Sequence, residues 1–474
     1  ACICYTGNIL DPSNEKYTIP YYVNIAKTLE KMGSDILCIK DMAGLLRPRA
    51  ATKLIQALKE NISIPIHLHT HATAGSAEAM LLAAAEAGCD IVDGAISSMS
   101  GLTSQPSINA LVASLEGTER CPDLSMHHLD ELSRFWEAVR AQYHAFDPGF
   151  KATSTDVYEH EIPGGQYSNL YDQAQKVGVK ATEFYELTRR YQEVNILFGN
   201  IVKVTPSSKV VGDMALLLQK HGMTGPEFLA KKPALDYPDS VVSFFKGHMG
   251  IPYGGFNEEL RAQILGANPP APEKPPVPAG DSFEKAKAEL SQLMETPPDD
   301  RDVLSYRLYP KVFREYLTEL LEYGDVAGLP TDVFFYGLPA NREVEVELEP
   351  GKTLIISISG VTEPNGNGVR RVFFQLNGYP RTLEILDEAV VAPGKKRAKA
   401  DMMNPLHIGS PMPGKILELR VIPGQLVEKS QIMIVTESMK MEYAITAKVG
   451  GKIKSVTVEK GELVEEGDLL IELE

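Results

Sequence analysis

The chain has 474 residues, 43% hydrophobic and 23% charged, with Lys+Arg 47 against Asp+Glu 63 and a net charge of -16. That acidity argues against an extended basic nucleic-acid surface. The longest apolar stretches, such as Ala79 to Ala85, fall far short of the ~20 residues that a membrane-spanning helix needs. At ~150 residues per domain, roughly three domains are expected. Five cysteines, all at or before Cys121 and in no framework pattern, read as reduced thiols of an intracellular protein. Ala1 stands directly before a strand-like run, so the sequence reads as starting inside a domain and says little about targeting.

Up to about residue 120, short apolar runs alternate with helical stretches. The runs are Cys2 to Tyr5, Ile36 to Ile39, Pro65 to Leu68 and Ile91 to Val92; the helical stretches include Tyr21 to Lys31, Ala51 to Lys59 and Ser76 to Ala87. Regular βα order predicts a parallel sheet with helices outside it. About four strands can be found where a complete (β/α)8 barrel has eight, so the region is either a small open sheet or the second half of a barrel. From His127 to about Leu265 the pattern turns helical, and Asn268 to Gly280 (NPPAPEKPPVPAG) is a Pro-rich connector. Charged helical segments follow at Ser282 to Met294 and Tyr309 to Glu322. Residues 331 to about 390 alternate at period two and break at Asn377-Gly378, which predicts a small antiparallel β unit. The basic stretch from Ala392 to Asn404 lacks periodicity and reads as a linker.

The last seventy or so residues contain a duplication. Gly414 to Glu437 aligns without gaps on Gly451 to Glu474, each copy reading Gly-Lys-Ile, strand, turn ending in Gly, Leu-Val-Glu, strand. Two such copies form a β sandwich in which each covers the apolar face of the other. Between them stands Glu437-Ser438-Met439-Lys440-Met441, which the symmetry places on a tight exposed turn. Exposed lysines are ordinary; two methionines flanking one are costly in water.

A second constellation lies in the βα region. His67-Leu68-His69-Thr70-His71 ends a strand, and period-two alternation puts His67, His69 and His71 on one face. Lys40 closes another strand at the same end of the sheet. Burial of an ammonium is expensive and lowers its pKa. A neutral lysine near a divalent cation can take up CO2 as a carbamate and become a carboxylate ligand beside imidazoles. Thr205, before Pro206, also suits a helix cap.

Met439-Lys440-Met441, about thirty residues after Pro411-Met412-Pro413-Gly414 and inside a repeated sandwich, resembles the biotinyl carrier domains. Lipoyl domains lack the paired methionines, and Ser438 stands where the family often has Ala. The resemblance implies that Lys440 carries biotin in an amide bond. Lys40-Asp41-Met42-Ala43-Gly44, then His69-Thr70-His71, Ser97 to Ser107 (SSMSGLTSQPS) and Lys203 to Lys209 (KVTPSSK), resembles the carboxyltransferase domain of the pyruvate carboxylases. The same barrel family includes the oxaloacetate decarboxylase α subunit and the transcarboxylase central subunit.

Carried over motif by motif, Lys40 is a carbamylated metal ligand, His69 and His71 are imidazole ligands, and His67 supports them. Thr205 is a proton shuttle between biotin and the pyruvate methyl group, and Ser208 lies in the biotin pocket. Ala72 follows His-Thr-His where many pyruvate carboxylases have Asp. Such a ligand set suits Zn or Mn. The family's aspartate ligand, pyruvate-binding arginine and glutamine cannot be assigned here. ATP and Mg belong to full-length members only.

The implied fold is multidomain α/β. Residues 1–125 are the C-terminal half of a TIM (β/α)8 barrel, and 126–300 a helical extension with the Pro-rich connector. Residues 301–395 are a tetramerisation and allosteric region with a small β domain, 396–404 a linker, and 405–474 a β-sandwich (hammerhead) biotinyl domain. The implied reaction moves CO2 from carboxybiotin to pyruvate, giving oxaloacetate. Implied partners are biotin protein ligase, three further copies in a homotetramer and acetyl-CoA, with no nucleic acid and no membrane. The implied location is the cytoplasm, or the mitochondrial matrix in a eukaryote. A decarboxylase α subunit and an inactive carrier or scaffold remain as alternatives; the small β region favours the carboxylase.

Overall fold

Four strands, β1 (Cys2–Cys4), β2 (Leu37–Asp41), β3 (Ile66–Thr70) and β4 (Ile91–Val92), form a parallel sheet in chain order. They are joined through α1 (Ile19–Lys31), α2 (Pro48–Lys59) and α3 (Ala77–Glu86). Strand order equal to chain order is that of a barrel wall; a doubly wound sheet would reverse it. The computed structural model describes all residues except 177, 234, 267, 274–282, 295, 341, 366–367, 388–397, 402–403 and 439–440. It divides into one unit of Ala1–Lys274 with Ala398–Glu474 and a second of Pro275–Arg397. Among the described residues no helix is long and apolar enough to cross a membrane.

One face of the sheet presents Ile3, Leu37, Ile39, Ile66 and Leu68 to a core shared with the three helices. Each such aliphatic side chain contributes about 1.5–3 kcal/mol when fully buried. The opposite face carries Cys4, Cys38, Lys40, His67 and His69 at intermediate exposure. The apolar runs stop at Ile39 and Leu68, yet the ladder continues through Lys40–Asp41 and His69–Thr70. The chemistry-bearing side chains thus ride on regular strand.

Next come α4 (Ile108–Leu115), α5 (Met126–Gln142), α6 (Val157–His160), α7 (Gly164–Lys176), α8 (Phe184–Leu197), α9 (Ser207–Lys220), α10 (Gly225–Lys231), α11 (Asp239–Phe245) and α12 (Glu258–Leu265). The last six share a core that includes Leu170, Tyr191, Met214, Phe228, Phe245 and Leu260. Thr205 does not cap α9. Pro206 occupies the cap position without a side-chain bond, and the Ser207 hydroxyl accepts from Val204 N at 3.1 Å instead. The second unit holds α13 (Phe283–Leu290), α14 (Asp300–Leu308), α15 (Pro310–Tyr323), α16 (Thr331–Tyr336) and an antiparallel meander of β5 (Glu343–Glu349), β6 (Lys352–Val361), β7 (Val369–Leu376) and β8 (Tyr379–Leu386). Asn377 (φ 50) and Gly378 (φ 79) form the two-residue turn between β7 and β8, as the Asn-Gly pair predicts.

The C-terminal module consists of β9 (His407–Gly409), β10 (Gly414–Leu419), β11 (Leu426–Val427), β12 (Ile432–Ser438), β13 (Met441–Thr446), β14 (Gly451–Val456), β15 (Leu463–Val464) and β16 (Leu469–Leu473). Its two sheets run β13-β12-β10-β15 and β11-β14-β16-β9. β10 corresponds to β14, β11 to β15 and β12 to β16, so each repeat lends its short strand to the other repeat's sheet. The core is duplicated as well: Ile416 pairs with Ile453, Val421 with Val458, Val427 with Val464, Met433 with Leu470 and Ile434 with Ile471. Gly424 (φ 86) and Gly461 (φ 93) make the same turn in each repeat. Of the segment read as a linker, Lys399 pairs with Asp468 at 2.8 Å and Ala400 N donates to Gly467 O at 2.8 Å. Residues 388–397 and 402–403 of that neighbourhood lie outside the described residues.

Candidate functional site

The C-terminal ends of β2 and β3 assemble the site. Register places Lys40 beside His69 and Cys38 beside His67. His71 follows the last residue of β3, and its ring centroid is 5.4 Å from that of His69, at 81°. The structure therefore brings Lys40, His69 and His71 together, as the alternation predicts. His67 stands one pair further back and is held by Asp93: its Nε2 is 2.7 Å from one carboxylate oxygen, while His69 Nδ1 is 2.8 Å from the other. Burial raises the Asp93 pKa, but the two imidazoles outweigh it and the net shift is downward. His71 Nδ1 lies 2.6 Å from Thr103 O. A carbonyl only accepts, so Nδ1 carries the proton and Nε2 keeps its lone pair. Burial lowers the His71 pKa, partly offset by Thr103 and reinforced by His69 and Lys40, which keeps the imidazole neutral near pH 7. His69 and His71 thus each have Nδ1 held by an acceptor, which leaves Nε2 as the nitrogen with the lone pair.

Two glycines shape this corner. Gly44 has φ 77, and a Cβ there would meet His71 O at 2.5 Å. Gly164 opens α7, and its Cβ would lie 2.6 Å from His71 Nδ1 and 2.7 Å from Thr103 O. Its amide donates to Met42 O at 2.9 Å, which ties the helical extension to the end of β2. Asp41, fully buried, accepts from Leu45 N at 2.8 Å, Leu46 N at 2.9 Å and Thr70 Oγ1 at 2.9 Å; burial pushes its pKa up against these donors. Ala72 is buried, with its amide donating to Ser104 O at 2.8 Å.

The segment before α9 is anchored at the end of β1. Lys203, 1% exposed, places Nζ 2.7 Å from Glu161 Oε2 and 3.4 Å from Thr6 Oγ1. Two residues on, Thr205 is exposed, and its hydroxyl makes no hydrogen bond among the described residues. Ser208 is buried at 4% and faces the α8–α9 packing, where Tyr191 OH donates to its carbonyl at 3.4 Å. Lys440 lies outside the described residues; Ser438 pairs with Met441 on either side of it. Sequence reasoning missed Asp93, Thr103, Gly164 and the Lys203–Glu161 pair. Only Asp93, directly after the strand-like Ile91-Val92, gives a local hint. Removing Glu161 by Glu161→Ala strands a buried ammonium and will cost about 3–5 kcal/mol. Urea unfolding will show that loss, and Lys203→Met in the same chain will recover part of it; an unchanged midpoint in the single variant contradicts the buried pair.

Residues 12–136 match the HMGL-like family, 157–357 the conserved carboxylase domain and 406–473 the biotin-requiring enzyme domain. A βα wall ending in lysine and imidazoles, a conserved carboxylase region and a biotinyl module define the class of biotin-dependent carboxylases. Pyruvate carboxylase of Bacillus subtilis is 47% identical over 479 residues, covering 100% of this chain and 41% of that protein. The mitochondrial enzyme of Homo sapiens is 41% identical, covering 100% of this chain and 40% of that protein. The complete pyruvate carboxylase of Rhizobium etli superposes with a TM-score of 0.74 at 41% identity, over 99% of this chain and 43% of that one. Its carboxyl transferase domain, solved with pyruvate and biocytin, gives 0.75 at 42% identity, over 82% of this chain and 65% of that one. The chain belongs to the pyruvate carboxylase family and corresponds to the C-terminal part of its members. It spans about two fifths of the length of these curated relatives.

Proposed function

We propose that this chain performs the carboxyl-transfer half of pyruvate carboxylation, passing a carboxyl group between biotin on Lys440 and pyruvate to give oxaloacetate. The observation that carries the reading is the Lys40, His69 and His71 cluster at the strand ends, in the same unit as a biotinyl module. Biotin, when bound at Lys440, supplies the mobile carboxyl group. Among the described residues no trio of His, Cys, Asp or Glu is grouped for a metal. By the resemblance, Lys40 as its carbamate is a further protein ligand beside the two imidazoles. A divalent ion so held supplies Lewis acidity toward the pyruvate carbonyl, and Zn or Mn suits the donors. Thr205, exposed and without a hydrogen bond to any described residue, would relay the methyl proton toward the ureido group of a bound biotin. A hydroxyl is a poor base alone, so the relay is concerted. Ser208 shapes the biotin pocket through the packing of α9.

The segment boundaries at 125, 300, 395 and 404 are proposed as the functional divisions. Biotin protein ligase, homotetramer formation through the second unit and a response to acetyl-CoA are further elements of the proposal, with the cytoplasm or the mitochondrial matrix as the location. The test uses the protein that carries this sequence, biotinylated, incubated with oxaloacetate. Pyruvate must form in proportion to biotinylation and stop on chelation of the metal. Equal turnover without biotin sinks the reading.

Gly164→Ala tests the metal ligands. The added methyl has no room beside His71 Nδ1, so the His71–Thr103 bond must open. Loss of such an outer partner costs about 10–100-fold in metal affinity. Metal analysis of purified protein will show depletion with unchanged circular dichroism; full occupancy in the variant removes His71 from the ligand set.

A further inference from the structure

The backbone crosses from the sheet core to the helical core at α6 and the turn after it. Val157 is buried in the first core and Ile162 in the second. Between them Glu161 adopts φ 52 and ψ 28, the left-handed conformation, where a side chain is disfavoured and glycine is not. Glu161 N donates to Val157 O at 2.8 Å and Ile162 N to His160 Nδ1 at 3.0 Å, so the surroundings hold the strained residue in place. Glycine would relieve the backbone but could not supply the carboxylate.

That carboxylate meets Lys203 Nζ at 2.7 Å, and the same ammonium donates to Thr6 Oγ1 and Ile201 O at 3.4 Å each. An ammonium has three N–H donors, so all are engaged and the position of the buried head is fixed. Just upstream, Lys16 Nζ donates to Gly199 O at 2.6 Å and Tyr17 Oη to Asn200 O at 2.8 Å. Residues 199–203 are thus fastened at three points to the loop after β1, ending two residues short of Thr205. The other end of the turn reaches the other half of the site. Gly164 is three residues beyond Glu161, no more than about 11 Å along the chain. It sits directly against His71 and donates to Met42 O.

We propose that Glu161 and Lys203 are positioning residues for carboxyl transfer: the pair uses the 161–164 turn as a spacer that fixes the Thr205 hydroxyl relative to the His71 imidazole. Both act through Thr205. The proposal rests on the carboxyl-transfer reading, in which those two groups serve one substrate. A buried ion pair is weak evidence of stability, since neutral groups of similar volume can replace it. A directed pair rooted in a strained residue, between two parts of one site, is what setting a distance requires.

The test is the double variant Glu161→Gln/Lys203→Met of the biotinylated protein, alone and combined with Thr205→Ala. It removes both charges at once, so no buried ion is stranded. Pyruvate release from oxaloacetate should fall about 10–100-fold, as displacement of a reacting group by about 1 Å does. The loss should lie in kcat with KM unchanged, and biotin and metal content should match the parent. Amide exchange in 201–207 should quicken about tenfold while 210–218 keeps its protection. In the Thr205→Ala protein the same double change should cost less than about twofold more, because its effect passes through that hydroxyl. Glu161→Asp keeps both charges and shortens the spacer by one methylene; it should lower kcat about tenfold, and a parent-like kcat overturns the proposal even if the double variant fails to fold. Full activity of the double variant, a loss that multiplies in full with that of Thr205→Ala, or unchanged exchange in 201–207 also overturns it. A parent protein without biotin-dependent turnover sinks the carboxyl-transfer reading itself, and the task of the pair with it, whatever the exchange shows.

Discussion

Arginine in place of Lys440 will leave the carrier module folded, free of biotin and unable to support any transfer. The module's stability resides in the duplicated core of Ile416, Val427, Met433 and Ile434 with Ile453, Val464, Leu470 and Ile471, none of which the substitution touches. The paired strands end at Ser438 and resume at Met441, and no described ladder pair includes the substituted residue. A substitution away from the packed core moves stability by about 0.5 kcal/mol or less. Guanidinium keeps the charge but cannot form the biotinyl amide, and free biotin at ordinary concentration does not replace a tether worth millimolar effective concentration. Avidin gel shift and thermal melting check both halves of the expectation. A retained biotin signal would show that another lysine is the acceptor.

Thr205→Ala will lower carboxyl transfer by about 10²–10⁴-fold, the range for loss of a positioned proton-transfer group. Biotinylation and metal content will stay at the parent's values. The structure makes this substitution unusually clean, because the Thr205 hydroxyl neither caps α9 nor bonds to any described residue. The backbone beside it is fixed by Lys203, Ser207 and the α9 turn, so loss of one hydroxyl leaves the frame in place. Thr205→Ser, which keeps the hydroxyl, will retain most of the rate. Comparable loss in the serine variant points to a steric role instead, and full activity of the alanine variant refutes the relay.

Much of this was legible in the sequence because it is local or periodic. Gly414-Lys415-Ile416 and Gly451-Lys452-Ile453 announce the sandwich, since a repeat must bury the same positions twice, and the core pairs do so. The alternation of His67, Leu68 and His69 fixes which side chains share a face once the segment is a strand. What escaped is non-local. Gly164 presses on His71 across a long sequence separation, and Asp93 joins two histidines from the next strand. No periodicity encodes such a meeting. Thr205 shows a different failure: a Thr-Pro pair carries the same helix-start signal whether or not the hydroxyl is used, and here Ser207 takes the bond. The order of segments likewise read as a row of separate modules, whereas the C-terminal one meets α9 at Lys220 and α11 through β13.

The most direct test feeds the biotinylated protein oxaloacetate labelled in the carboxyl group that leaves C3, then isolates the peptide containing Lys440 under conditions that preserve a labile carboxyl. The account predicts label on that peptide together with released pyruvate, and neither in the Lys440→Arg protein. Pyruvate released equally by both proteins, with the label recovered only as free CO2, would contradict it.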